Sequence, residues 1–429
     1  MDQIKKWTFY LTILVAGFAT GIGTIGLFPQ MWLKYGMSGM LVHVIFLAIL
    51  TYLAIIESEA VMKSGYYFTE LYTKISRKPG MVMALLTVGI MFLSYYTANV
   101  GLTLLSPVLG VGTVARLIAK LIMIGLIFLI ITRAKEKTFV IMALGALILV
   151  ILVPIIAVLF KVQLANPAST AHFKGLLTAW RPLSFGMLRE AADRALYGVG
   201  LGFGFYIMLG SFMSERFKAK HIISLGVFIQ YIIGILSTYA VIYSVAPYNP
   251  DLLQRYANGG EEQAIELMGA LPKVLSGHPG LLALLGLTIF MAGLTSILPA
   301  SEVDLQIIQS MFKTNRMKAA VYLTLIVLTL GVLDSPPLIA DMFLKAVSTS
   351  IFITSIFEIY PVLEGRIKPT LLQLSTIAIA TTIFLIGFAI QTVYDARLGG
   401  IYYLSILLAL FVIALGFAGE LIKPKPEAS

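Results

Sequence analysis

Stretches of about twenty apolar residues recur along this chain from Trp7 to Ile422, each long enough to cross a bilayer core as a helix. No other feature limits the fold so strongly, because in hydrocarbon every backbone polar group must find its partner inside the protein. The expected spans are 8–33, 40–62, 80–105, 113–132, 138–161, 187–213, 221–246, 279–310, 318–333, 337–362, 370–392 and 400–422, twelve in all. Only 12% of the 429 residues are charged, against the roughly 25% of a soluble domain. Soluble enzymes, nucleic-acid binders and disordered scaffolds are therefore excluded. The first stretch is too long for a signal-peptide core and no small-residue cleavage site follows it, so it is read as a retained span.

The formal net charge of +10 has a membrane explanation. Lys5 and Lys6, the segment Lys63 to Lys78, Arg133/Lys135/Lys137, Arg216/Lys218/Lys220, Lys313/Arg316/Lys318, Arg366/Lys368 and Lys423/Lys425 stand at every second span boundary. These hold 19 of the 31 basic residues. The positive-inside rule then puts both termini in the cytoplasm of a multi-pass cell-membrane protein. The opposite connections, 162–186 and 247–278, are longer and more mixed, and 261–275 reads as a short amphipathic helix. The chain has no cysteine and its four histidines lie far apart, so no disulfide, thiolate or paired-His metal site is expected.

Two spans carry runs of glycine: Gly17, Gly21, Gly23 and Gly26 in the first, Gly198, Gly200, Gly202 and Gly204 in the sixth. Each glycine in a helix costs about 0.8–1 kcal/mol relative to alanine, so such runs favour unwinding. Close helix packing through small residues is the competing explanation for either run alone. Two runs five spans apart favour the first, since interrupted spans at matching places of two inverted halves mark a binding site at their interface. The corresponding plan is an all-helical membrane fold: a five-helix unit over 1–161, an inverted second unit over 187–362, and two further helices over 370–422.

These segments resemble the neurotransmitter:sodium symporter family, especially its bacterial amino-acid members. The resemblance covers essentially the whole chain. It rests on AGFATGIGTIGLFP (16–29), GVGLGFG (198–204) and FMAGLTS (290–296), supported by IESEAVMKSG (56–65) and SYYTANVG (94–101). It implies a sodium-coupled symporter of an amino acid that catalyses no covalent step, with Na+ as the coupling ion. It also implies a sodium cage at Gly17, Thr20, Ala292, Thr295 and Ser296. A second sodium site would fall at Ala19, Thr24 and Gly198 near Gln230. There the family's Asn is Thr24 and its Thr is Gly198, so one bound sodium is expected. The implied substrate site comprises Ala19, Ile22, Gly23, Phe92, Tyr96, Tyr197, Gly200, Phe203, Ser296 and Ala300. The carboxylate would lie near Ile22, Gly23 and the Tyr96 hydroxyl, and the small Gly200 and Ala300 would leave apolar room.

Charges inside a membrane are functional candidates. Glu57 and Glu302 match acidic family positions and read as members of structural networks. The family's gate arginine is Leu27 here, whereas Arg194 replaces a glutamine and Asp341 keeps the acidic place. An Arg194–Asp341 gate competes with an Asp341–Lys345 pair four residues apart on one helix. Two alternatives stay open: the same fold moving another small organic solute or coupled to protons, and a substrate sensor that lost transport. No protein partner and no nucleic acid is expected, only the small-molecule substrate and the lipid bilayer.

Overall fold

The computed structural model describes residues 3–110, 112–364 and 368–418. Arg366, Lys423, Lys425, the last four residues of the span 400–422 and the side chains of Glu261 and Glu262 lie outside the described residues. Ten helices among the described residues are long and apolar enough to cross a membrane, which makes this a multi-pass architecture. The expected spans that are absent from this set are the first and the sixth. Both are broken at their glycines.

In chain order, α1 (Gln3–Ala19) and α2 (Ile22–Gly26) divide the first expected span. Helix α3 (Phe28–Ser64) carries its end together with the whole second span, bent at Gly36. The turn α4 (Phe68–Glu70) leads to α5 (Pro79–Leu109), α6 (Thr113–Ile131) and α7 (Lys135–Gln163). Connection 162–186 contains α8 (Pro167–Thr178). The sixth span is α9 (Phe185–Val199) and α10 (Phe205–Phe212), followed by α11 (Ala219–Val245). Connection 247–278 folds as two helices, α12 (Pro250–Asn258) and the expected amphipathic α13 (Glu261–Val274). The remaining helices are α14 (Pro279–Met311), α15 (Arg316–Leu333), α16 (Pro337–Glu364), α17 (Leu371–Leu398) and α18 (Tyr403–Phe417).

Local chemistry accounts for these boundaries. Asn166 and Asn249 cap α8 and α12, accepting from Ala168 N at 3.0 Å and Leu252 N at 3.1 Å, with proline following each cap. Gly36 holds φ +60° and ψ −147°, and a side chain there would collide with the Ala179 carbonyl, which accepts from Met37 N at 2.9 Å.

Helices α1, α5, α7, α11 and α14 pack around one another as the central group. Their contacts are set by small residues, as expected where lipid supplies no hydrophobic drive between helices. A side chain on Gly17 would meet Ala146 of α7, one on Gly226 would meet Val15 of α1, and one on Gly293 would meet Val100 of α5. Gly293→Leu is therefore expected to force α14 off α5. Overpacking of this kind costs about 1–3 kcal/mol or more. The check is a lower melting temperature in detergent; an unchanged transition would mean that α5 yields freely.

Candidate functional site

The last turn of α1 presents carbonyl oxygens at membrane depth, where polar groups must be satisfied from within the protein. Ala16 O accepts from Thr20 Oγ1 at 2.7 Å. Gly17 O accepts from Thr295 Oγ1 at 3.0 Å and Phe18 O from Ser296 Oγ at 3.4 Å. Ala19 O accepts from Thr24 Oγ1 at 3.2 Å. Thr295 and Ser296 are adjacent on α14, yet both also reach Ala292 O, at 3.1 and 3.2 Å, because they stand three and four residues after it.

Proton arithmetic makes this cluster unusual. A hydroxyl carries one donor. The Thr295 hydroxyl lies within bonding distance of three carbonyls, those of Gly17, Ala292 and, at 2.9 Å, Met291. The Ser296 hydroxyl lies within reach of two. Four carbonyl oxygens, of Gly17, Phe18, Met291 and Ala292, thus face two hydroxyl protons in a buried place, and an oxygen-rich pocket suits a hard cation. Gly17, Ala292, Thr295 and Ser296 are brought together here. Thr20 sits at the same break, with its own hydroxyl turned back to α1.

The second break is built differently. Gly200, Gly202 and Gly204 hold φ of +86°, +88° and +77°, which only glycine adopts without strain. Two of their N–H groups are met by one carboxylate: Glu358 of α16 accepts from Gly202 N at 2.6 Å and from Gly204 N. The Tyr206 hydroxyl donates back to Val199 O at 2.6 Å. The Phe18 ring occupies the space beside Gly200 and stacks on Phe205 at 4.0 Å, joining the two breaks. The room expected from a small residue at 200 is therefore largely filled by Phe18.

Between the breaks lies a cavity of about 380 Å³. Of the expected substrate residues, Ile22, Gly23, Phe92, Tyr96, Tyr197, Gly200, Phe203 and Ser296 line it, and Ala19 and Ala300 do not. Ile22 N donates to the Tyr96 hydroxyl at 3.1 Å, so the phenol proton remains available to another acceptor. Phe92 stacks on Tyr96 at 4.7 Å and tilts against Phe203 at 4.9 Å. The sequence reading missed Phe18, Asn99, Thr103, Met268, Ile289, Leu344 and Val347 on the same wall. Asn99 could have been found as a polar residue three places beyond Tyr96 inside a span; Met268 arrives on the α12–α13 hairpin, whose docking no local pattern encodes. That hairpin is tied to the first span by Gln30 Nε2, which donates to Tyr256 O at 2.9 Å and Gly260 O at 2.7 Å, and by a bond from the Tyr256 hydroxyl to Gly26 O.

At the second implied cation position, Gln230 Nε2 donates to Thr24 Oγ1 at 3.2 Å and Thr24 in turn donates to Ala19 O. The Gln230 carboxamide occupies the space beside Gly198 where a side chain would stand. Ala19, Thr24, Gly198 and Gln230 are thus neighbours, with an amide in their midst.

The charged candidates differ in the partners they take. Asp341 Oδ2 accepts from the Tyr402 hydroxyl at 2.6 Å, and among the described residues no ion pair joins Asp341 to Arg194 or to Lys345. The phenol supplies the donor that either cation was expected to supply. Arg194 does line the cavity, and Lys345 Nζ lies 5.4 Å from the Tyr394 ring centroid. Glu302 is buried and paired with Arg316 at 2.6 Å, with Gln306 Nε2 also donating to it. Glu57, by contrast, has two buried oxygens and no hydrogen bond to either.

No family profile and no curated protein matches the sequence. Among solved structures, the chain is similar to MhsT in complex with L-phenylalanine, with a TM-score of 0.69 over 90% of this chain and 98% of that one, at 17% sequence identity. That extent of superposition, together with two helices broken at glycines around a central cavity, gives the chain the neurotransmitter:sodium symporter fold.

Proposed function

We propose that the chain is a sodium-coupled symporter that takes up an amino acid by alternating access, embedded in the cell membrane with both termini cytoplasmic. The observation that carries this reading is the cluster of carbonyl and hydroxyl oxygens where α1 ends against α14. The broken first and sixth spans add to the ten unbroken helices to give twelve, arranged as inverted units 1–161 and 187–362 with 370–422 appended. MhsT, whose structure holds L-phenylalanine, supports an amino acid as cargo.

Sodium, as co-transported substrate, is held by Gly17, Thr20, Ala292, Thr295 and Ser296, where it replaces hydroxyl protons as the partner of the α1 carbonyls. It thereby clamps α1 to α14. The amino acid lies between the breaks, its carboxylate receiving the Tyr96 proton beside Ile22 and Gly23. Phe92, Tyr197 and Phe203 wall the pocket around it. The Gln230 amide beside Thr24 supports a stoichiometry of one sodium, because a donor group stands where Ala19, Thr24 and Gly198 would otherwise hold a second ion. Arg194 closes over the cargo when Asp341 exchanges Tyr402 for the guanidinium.

In proteoliposomes, an inward sodium gradient is expected to drive amino-acid uptake with a Hill coefficient near one. Replacing Thr295 and Ser296 together by Ala should weaken apparent sodium affinity by about tenfold or more, from the loss of two ligands. A double variant that titrates like the parent would place the ion elsewhere, and uptake indifferent to sodium would defeat the coupling. For the gate, Arg194→Ala and Asp341→Ala should each slow uptake, and the charge swap Arg194→Asp with Asp341→Arg should restore part of it. Slow uptake in Lys345→Ala with a normal Arg194→Ala would assign the carboxylate to the lysine instead.

A further inference from the structure

Asn99 stands on α5 three residues beyond Tyr96, hence about 4.5 Å further along the helix axis, and lines the same cavity. Its side-chain oxygen accepts from Arg116 Nη1 of α6 at 3.0 Å. A guanidinium has donors only, so this contact settles which end of the carboxamide faces α6. The oxygen points to Arg116, and the NH2 group is left on the other side, with no hydrogen bond to protein among the described residues.

The charge behind Asn99 is uncompensated. Arg116 is only 9% exposed, its Nε and Nη2 are buried without hydrogen bonds, and among the described residues no carboxylate pairs with it. One turn further on α6, Lys120 is buried too, but it has a counter-ion in Asp334 and donates to Gly331 O at 3.0 Å. The cluster therefore holds two cations and one anion, and the surplus belongs to Arg116. A buried charge without a partner is strongly unfavourable, so a guanidinium kept in such a place calls for an anion during function. The cavity wall offers none of its own among the described residues, where no Asp or Glu lines it.

Resting on the amino-acid reading above, we propose that Asn99, oriented by Arg116, reads the far end of the substrate, and that the substrate is an amino acid whose side chain ends in a carboxylate. With the head group at Tyr96 and Ile22, a side chain of two methylenes covers the step along α5 to the Asn99 amide. Apolar lining residues such as Ile289 and Met268 take those methylenes and exclude water, which strengthens the attraction between the carboxylate and the polarised amide. Arg116 is a positioning residue. It touches Asn99, and its charge acts on the substrate through that amide.

Binding of L-glutamate and of L-norvaline, which lacks the terminal carboxylate, to the full-length protein in sodium-containing nanodiscs tests this. The parent is expected to bind glutamate about tenfold or more tighter, the scale of a hydrogen bond to a charged group. Asn99→Leu should remove that preference, as should Arg116→Gln, and Arg116→Lys should keep a substantial part of it. Because the readout is a ratio of two ligands, a variant that is merely less stable does not move it. Equal affinity for the two ligands in the parent, or a ratio untouched by Asn99→Leu, overturns the inference while leaving the amino-acid reading standing. Binding of no amino acid at all, with or without sodium, would remove both.

Discussion

Glu358→Ala is expected to produce little or no folded protein. Glu358 of α16 is 1% exposed and its two oxygens accept from Gly202 N and Gly204 N, the donors that the left-handed glycines of the sixth span turn away from any helix. Deleting the carboxylate leaves both N–H groups buried without an acceptor. Each such orphan costs about 1–3 kcal/mol, more when the lost partner was charged. The sum reaches a large part of the roughly 5–15 kcal/mol by which a native domain is stable. Glu358→Gln keeps one accepting oxygen and turns the other end into a donor facing a donor, so it should fall between. Fluorescence-detected size-exclusion and thermal unfolding in detergent read the series. An alanine variant that elutes and melts like the parent would mean that water or rearranged backbone serves those N–H groups.

The second large effect concerns Lys120 and Asp334. This pair joins α6 to the end of α15, with the two side chains 1% and 0% exposed. Breaking a buried pair by removing one partner typically costs about 3–5 kcal/mol, because the other charge is stranded, whereas replacing both by apolar residues is often neutral. Asp334→Leu should therefore lower the melting temperature severely, and the double change Lys120→Met with Asp334→Leu should recover most of the loss. Recovery is expected to be incomplete, since Lys120 also donates to Gly331 O. Were the double variant as unstable as the single one, the aspartate would be serving some group other than the lysine.

The spans themselves were legible because a membrane demands a run of apolar residues, and a run is a local property. The same holds for the breaks. Glycine is a poor helix former wherever it stands, so Gly17 to Gly26 and Gly198 to Gly204 announced interruptions before any neighbour was known. The hydroxyls of Thr295 and Ser296 were found through motif resemblance. What the motif could not show is that both converge on Ala292 O and on carbonyls of α1. For Asp341 the sequence reading offered two cations, and the protein uses Tyr402, 61 residues away.

Sequence alone thus determined where the chain crosses hydrophobic thickness and where its helices must fail, since both follow from the chemistry of neighbours along the chain. Tertiary structure decided how the broken ends are satisfied. Glu358 meets Gly202 across 156 positions, Gln230 meets Thr24 across 206, and Arg116 fixes the amide of Asn99 from the adjoining helix. A carboxylate or an amide in a span is compatible with many partners at the level of sequence. Which partner it takes depends on which helix faces it, and in this protein that is set by close approaches at glycines such as Gly17 and Gly293, where shape and not pattern decides the contact.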